Sequence, residues 1–260
     1  MPFAGRDMFS STVFWLGCFY VCFPLGLLIY GWNDVGDAIT DSANPRKDSW
    51  LFGARPDANL RRQLPWIILF SQTPFLIAFT WVGGPILLLW FVAVALVNYT
   101  YNNLDFKSRP GLDLLNQAGY LLVLVLASWL CGVPQIGMAA LVFGALFAMH
   151  SHLFGQLMDI DEDRLQGRRS TAIQIGVRGS KGLLVAMLIV EAIIAANSFR
   201  YQWVAWFLLA GAAFFLVDAL IGPQRYPLRF CQAFFLGWNL IVLLSMHFVW
   251  KYDVFLVAPG

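Results

Sequence analysis

The stretch FSSTVFWLGCFYVCFPLGLLIYGW, residues 9–32, carries no charged side chain and runs directly into Asn33-Asp34-Val35-Gly36-Asp37-Ala38-Ile39-Thr40-Asp41. As a helix, those first 24 residues rise about 36 Å, enough to cross a bilayer. The acids that follow therefore stand at a membrane face. On a continuing helix Asn33, Asp37 and Asp41 succeed one another at i, i+4 and i+8, and Asp34 joins them at i+3 and i+7, so their oxygens converge. Convergent carboxylates repel unless a cation lies between them, and hard oxygen donors that include a neutral amide suit Mg²⁺.

Working outward, the rest of the chain repeats the first pattern. Of its 260 residues, 59% are hydrophobic and 12% charged, half the charged fraction of an ordinary soluble domain. Apolar runs recur at about 9–32, 65–82, 84–101, 117–133, 135–158, 182–197, 202–221 and 230–250, which predicts an all-α, polytopic transmembrane bundle of about eight helices in one domain, 1–260. Of the 17 Lys and Arg residues, 14 lie in segments 33–64, 102–116, 159–181 and 222–229. These share one side if the helices alternate, and the positive-inside rule makes that side cytoplasmic. The net charge of +2, with acids interleaved among the bases, excludes a nucleic-acid partner. The first apolar run is too long, and lacks the small-residue pattern, for a cleaved signal peptide. Cys18, Cys22, Cys131 and Cys231 lie in or beside apolar runs and read as buried thiols, not as disulfides or zinc ligands.

A second acidic cluster closes the fifth run, Asp159-Ile160-Asp161-Glu162-Asp163. Asp159 and Asp163 share a helical face at i, i+4, whereas Asp161 points elsewhere. Cations follow both clusters: Asn44-Pro45-Arg46-Lys47 after the first and Gly167-Arg168-Arg169 after the second. A third polar segment, Tyr99-Thr100-Tyr101-Asn102-Asn103-Leu104-Asp105-Phe106-Lys107-Ser108-Arg109, adds an ammonium and a guanidinium suited to phosphate oxygens. Asp113 reads as a cap for the next helix. Two acidic clusters on one face, each with cations, point to a metal-bridged diphosphate. His152, seven residues before Asp159, lies deeper on about the same face and is a candidate for the reacting end of a substrate. Its neighbour His150 points away from it.

Asn33-Asp34-x-x-Asp37-x-x-x-Asp41 paired with Asp159-x-x-x-Asp163, and the following Gly167-x-x-Ser170-Thr171-Ala172-Ile173-x-x-Gly176, resemble the UbiA superfamily of intramembrane prenyltransferases. Asn44-Pro45-Arg46-Lys47 and Lys107-Ser108-Arg109-Pro110-Gly111-Leu112-Asp113 resemble the branch that includes lycopene elongases. The resemblance implies nine transmembrane helices around a central cavity that faces the cytoplasm. It implies one Mg²⁺ site on Asn33, Asp34, Asp37 and Asp41 and a second on Asp159 and Asp163. Lys107 matches the family's diphosphate-binding lysine, with Arg109, Arg46 and Lys47 beside it, and Tyr99 opens the stretch that reads Tyr-Ser-x-Pro-Pro in the family. Three departures stand out: the chain begins at the family's second helix, Pro-Pro is replaced by Asn102-Asn103, and an Arg two residues before the lysine is replaced by Asp105.

The expected chemistry is Mg²⁺-dependent transfer of a polyprenyl group from prenyl diphosphate to a lipophilic acceptor through an allylic cation. Asp37, Asp159 and Lys107 would be catalytic, and Tyr99, Tyr101, Tyr30 and His152 would line the pocket, with Trp32 and Tyr120 as further aromatic candidates. These aromatics equally fit an interfacial belt. A terpene cyclase acting on the diphosphate itself is the alternative within the class. An ion transporter is a distant one, because both acidic clusters end their helices at one face instead of lying at the midplane.

Overall fold

The computed structural model describes residues 6–37 and 56–252; Asp41, Arg46 and Lys47 lie outside the described residues. All regular structure among the described residues is helical apart from one isolated bridge residue. The helices are α1 (Thr12–Cys22), α2 (Pro24–Gly36), α3 (Ala58–Gly83), α4 (Ile86–Asn102), α5 (Leu112–Leu115), α6 (Leu122–Cys131), α7 (Met138–Met158), α8 (Ile160–Leu165), α9 (Thr171–Ser198), α10 (Trp203–Ile221) and α11 (Leu228–Tyr252). Each of the eight apolar runs coincides with one of these or with a broken pair. Among the described residues six spans are long and apolar enough to cross a membrane: 12–36, 58–83, 112–131, 138–158, 171–198 and 203–221. The bundle is therefore an integral, multi-pass membrane protein. Its surface agrees: Trp81, Phe70 and Trp206 are 89%, 70% and 70% exposed, a pattern of outward apolar side chains that water would punish and lipid tails accept.

Two compact units emerge. The first comprises residues 6–37, 56–105 and 122–135, the second 106–121 and 136–252. In the first, Ser11 caps α1 by accepting from the Phe14 amide, and Pro24, which has no N–H to continue the ladder, breaks the opening span into α1 and α2 at Phe23. Tyr20, fully buried, holds the core together. Its ring meets Phe79 edge-on at 5.1 Å and Trp90 at 5.8 Å, and its hydroxyl donates to Gln72 Oε1 at 2.7 Å. Gln72 in turn donates to the Pro24 carbonyl. A phenol and an amide in an apolar bundle are thus mutually satisfied, as burial requires.

In the second unit α9 packs on both α7 and α10. Ala192, Ala195, Ala205 and Ala212 are buried along α9 and α10, and side chains this small let helix backbones approach closely without a hydrophobic drive. The α9 span starts at Thr171, eleven residues before the apolar run at 182, and bends at Gly176, whose φ of 73° only glycine adopts without strain. Of the four cysteines, all free, Cys231 is buried, Cys18 and Cys131 are partly buried and Cys22 is exposed. The buried-thiol expectation holds in full only for Cys231, since the first helix turns Cys22 outward.

Candidate active site

The first acidic cluster lies at the end of α2. Helical geometry stops at Gly36, and Asp37 closes the helix, its amide donating to the Asn33 carbonyl at 2.9 Å. The i, i+4 relation of Asn33 and Asp37 is therefore present in the backbone, while the expected continuation to Asp41 lies outside the described residues. Asp37 is buried and Asp34 partly so. Asn33 Oδ1 is buried without a hydrogen-bond partner, an acceptor left open beside two carboxylates. The Trp32 indole donates to Asn103 Oδ1 at 3.1 Å, tying this end of α2 to the end of α4. There Asn98 and Asn102 side chains bond back to carbonyls of the preceding turn, and Asp105 takes a left-handed φ of 57°, which Asp tolerates better than most residues. Tyr30 is 63% exposed, as a belt aromatic is. Tyr99 is also exposed and Tyr101 partly buried.

The second cluster forms the joint between α7 and α8. Asp159 ends one helix and starts the other, with φ −105° and ψ 6°, and the Asp163 amide still reaches the Asp159 carbonyl at 2.9 Å. One turn thus separates the two carboxylates despite the break. Asp163 is buried and receives Arg168 Nη1 at 3.2 Å. Gly167, at φ 74°, makes the reversal that returns Arg168 to the acid. Asp161 and Glu162 face away, as the spacing predicts for Asp161: Arg225 reaches Glu162 Oε1 at 2.7 Å and Asp161 Oδ2 at 3.6 Å.

Asp113 does far more than cap its helix. Fully buried, its carboxylate accepts from the Thr171 amide at 2.6 Å and Gln156 Nε2 at 2.7 Å on one oxygen, and from Thr171 Oγ1 at 2.5 Å and the Leu114 amide at 2.8 Å on the other. Gln156 completes the node by accepting from the Ala172 amide, and Thr171 Oγ1 by accepting from the Gly111 amide at 2.8 Å. Gly111, at φ 80°, can present its N–H this way because it has no Cβ to strain. The node locks the Lys107–Gly111 turn to the helix ends that flank Asp159 and Asp163. Lys107 is partly buried and Arg109 exposed, with its guanidinium 5.8 Å from the Phe106 ring.

A second polar node braces α9, α10 and the 222–227 loop. Lys181, almost wholly buried, bonds Asp218 Oδ2 at 2.9 Å, the Asp218 carbonyl at 3.1 Å and the Pro223 carbonyl at 2.8 Å. Tyr226 donates to Asp218. Its phenol is pushed above its ordinary range, first by burial, then by that hydrogen bond and by Asp218's charge. Deeper in the unit His150 Nδ1 lies 2.6 Å from Glu191 Oε1. His152, two residues on, is partly buried.

The donor set suits a hard divalent cation. Among the described residues no three His, Cys, Asp or Glu side chains cluster closely enough to hold a metal unaided. Mg²⁺, however, is ordinarily held by one or two carboxylates with waters and substrate phosphates completing its shell, and the open Asn33 oxygen supplies a neutral donor.

An all-helical chain with six apolar spans defines the class of multi-pass membrane proteins. Residues 1–245 match the UbiA prenyltransferase family, and the chain belongs to that family and is a prenyltransferase. It is 28% identical over 197 residues to a lycopene elongase/hydratase of Corynebacterium glutamicum, covering 74% of this chain and 68% of that one. It is 31% identical over 221 residues to a lycopene elongase/hydratase of Halobacterium salinarum, covering 83% and 70%. A Dietzia protein of C(50) β-cyclic carotenoid biosynthesis is 28% identical over 220 residues, covering 81% and 48%. No solved structure matches the chain.

Proposed function

We propose that this enzyme transfers a prenyl group from its diphosphate to an acyclic carotenoid, lycopene or a close analogue, at the cytoplasmic face. The observation that carries the acceptor assignment is the likeness to lycopene elongase/hydratases over 74% and 83% of the chain. The donor assignment rests on the two acidic helix ends with their neighbouring cations. Asn33, Asp34, Asp37 and Asp41 would hold one Mg²⁺, and Asp159 and Asp163 another; when bound, these ions would supply positive charge against that developing on the departing diphosphate.

The chain's own residues do the remaining work. Lys107 supplies a point charge to the phosphate oxygens, with Arg109, Arg46 and Lys47 as auxiliary donors. Arg168, paired with Asp163 at 3.2 Å, would set a further guanidinium beside the second acidic helix end. The apolar interior keeps water from the allylic cation until the acceptor's double bond reaches it. Tyr99, Tyr101 and Tyr30 offer π faces to a cation, and His152 stands about two turns before Asp159 on its own helix.

Purified protein in lipid nanodiscs, given lycopene, Mg²⁺ and dimethylallyl, farnesyl or geranylgeranyl diphosphate in turn, is expected to release pyrophosphate and to yield a carotenoid heavier by one prenyl unit. EDTA, Asp37→Ala and Asp159→Ala are each expected to stop both. A cyclic product formed from the diphosphate alone, with lycopene unchanged, would overturn the acceptor reading.

A further inference from the structure

The inward stripe of α3 begins with Leu64, Ile68 and Gln72, all buried, and Arg61, three residues before Leu64, extends it on the same face. Burial follows the stripe. Residues 57–60, 62 and 63 are exposed, whereas Arg61 is partly buried. Two contacts fix what this face meets on α2. Gln72 Nε2 donates to the Pro24 carbonyl at 2.7 Å, and a Cβ on Gly31 would come 3.3 Å from Ile68 Cδ1 and 3.6 Å from Leu64 Cδ2. The two helices are therefore antiparallel neighbours, numbering rising on one as it falls on the other. One further turn, about 5 Å along both axes, brings Arg61 level with residues 34–37, the acidic end of α2.

A cation placed there differs from a surface anchor. Arg61 Nε is shielded from solvent and has no hydrogen-bond partner among the described residues, a costly state for a charged donor. Arg62, next in the chain, is exposed and already supplies positive charge to this membrane face. At the facing end of α2, Asn33 Oδ1 is likewise buried and unbonded. A donor and an acceptor thus stay open within one pair of packed helices, where packed interiors ordinarily satisfy both. A ligand that carries a cation together with anionic oxygens satisfies them at once, the cation on Asn33 and the oxygens on the guanidinium.

We propose that Arg61 is a binding residue for the substrate's diphosphate at the acidic end of α2; this rests on the function proposed above. Its planar fork presents Nε and one Nη side by side to two oxygens of a phosphate group, a grip that the single ammonium of a lysine does not reproduce. A donor with no protein partner gains its bond to phosphate without first breaking another. The contact is with phosphate alone. Its contribution is therefore the same for every prenyl length and for inorganic pyrophosphate.

The experiment titrates the wild type, Arg61→Gln, Arg61→Lys and Arg62→Gln in nanodiscs with inorganic pyrophosphate and with farnesyl thiolodiphosphate, a non-ionising analogue, each in saturating Mg²⁺. Calorimetry follows binding, and tryptophan fluorescence follows thermal unfolding without ligand. Arg61→Gln is expected to weaken both ligands by the same factor, about tenfold or more, the worth of a hydrogen bond to a charged group. Its unfolding midpoint stays at or above that of wild type, because a buried unsatisfied donor has been removed. Arg61→Lys restores part of the affinity, and Arg62→Gln, which removes the same charge from the exposed face, stays within about twofold of wild type. Unchanged affinity in Arg61→Gln overturns the proposal, as does an equal loss in Arg62→Gln, which marks a general effect of surface charge. A midpoint that falls along with affinity in both Arg61 variants marks a structural role and overturns it too. If the wild type binds neither pyrophosphate nor the analogue, the diphosphate reading itself fails; wild-type binding without elongation of lycopene removes the acceptor reading and leaves Arg61 in its role.

Discussion

Replacing Asp113 isolates the contribution of a residue that reads in the sequence as a helix cap and stands in the structure as a four-bonded node. In Asp113→Ala the Thr171 amide and Gln156 Nε2 lose their buried acceptor, as does the Leu114 amide. Each buried donor left unpaired costs about 1–3 kcal/mol. Thr171 Oγ1 is spared, because it still accepts from the Gly111 amide and its hydroxyl can rotate. With partial relaxation the total is about 3–5 kcal/mol, or a drop in detergent midpoint of roughly 10 °C for a chain of this length. Asp113→Asn costs less. Its amide oxygen can serve Thr171 N and Gln156 Nε2, leaving only an NH₂ opposed to the Leu114 amide, a penalty of about 1–3 kcal/mol. The node also sets the register of the Lys107 turn against Asp159 and Asp163, so kcat falls more than the affinity for substrate. The assays are thermal unfolding followed by tryptophan fluorescence and steady-state pyrophosphate release. Wild-type stability together with wild-type kcat in Asp113→Ala would refute the argument.

Gly222→Ala should be among the most damaging single-methyl additions, because the new Cβ falls 1.8 Å from Asp218 Oδ1 and must dislodge the carboxylate that holds Lys181; a loss of about 3 kcal/mol or more in unfolding measurements is expected. Lys181→Met removes the cation and leaves Asp218 buried without its ion-pair partner, and should destabilise by about 3–5 kcal/mol, whereas Lys181→Met combined with Asp218→Leu recovers much of that loss. Tyr226 has its phenol pushed up in the folded state. Its contribution is therefore fully present below the ordinary tyrosine value of about 10 and is lost as pH rises from there toward the folded value; unfolding midpoints measured across that window should fall more steeply for wild type than for Tyr226→Phe.

The transmembrane helices were legible because lipid and packed core make the same demand on a side chain, so eight apolar runs map onto helices even where Pro24 or Asp159 breaks them. The starts were less legible, and for a physical reason: the apolar run begins only at 182, yet α9 begins at Thr171, and its polar Lys181 is buried against Asp218 and two carbonyls. A burial that depends on a partner 37 residues away leaves no trace in local periodicity. The same holds for the polar groups inside the bundle. Asp113 reads locally as a cap, since Gln156 and Thr171 are 43 and 58 residues distant. Glu191 does carry a local signal, an acid within an apolar run: the membrane makes such a residue costly, so its presence implies a partner on another helix, which is His150. The backbone spacing within the acidic clusters is local, and so the i, i+4 steps from Asn33 to Asp37 and from Asp159 to Asp163 follow directly from the sequence. Sequence thus exposes groups that are near neighbours along the chain, as at Asp159 and Asp163, and conceals those assembled by packing, as at Asp113 and Lys181.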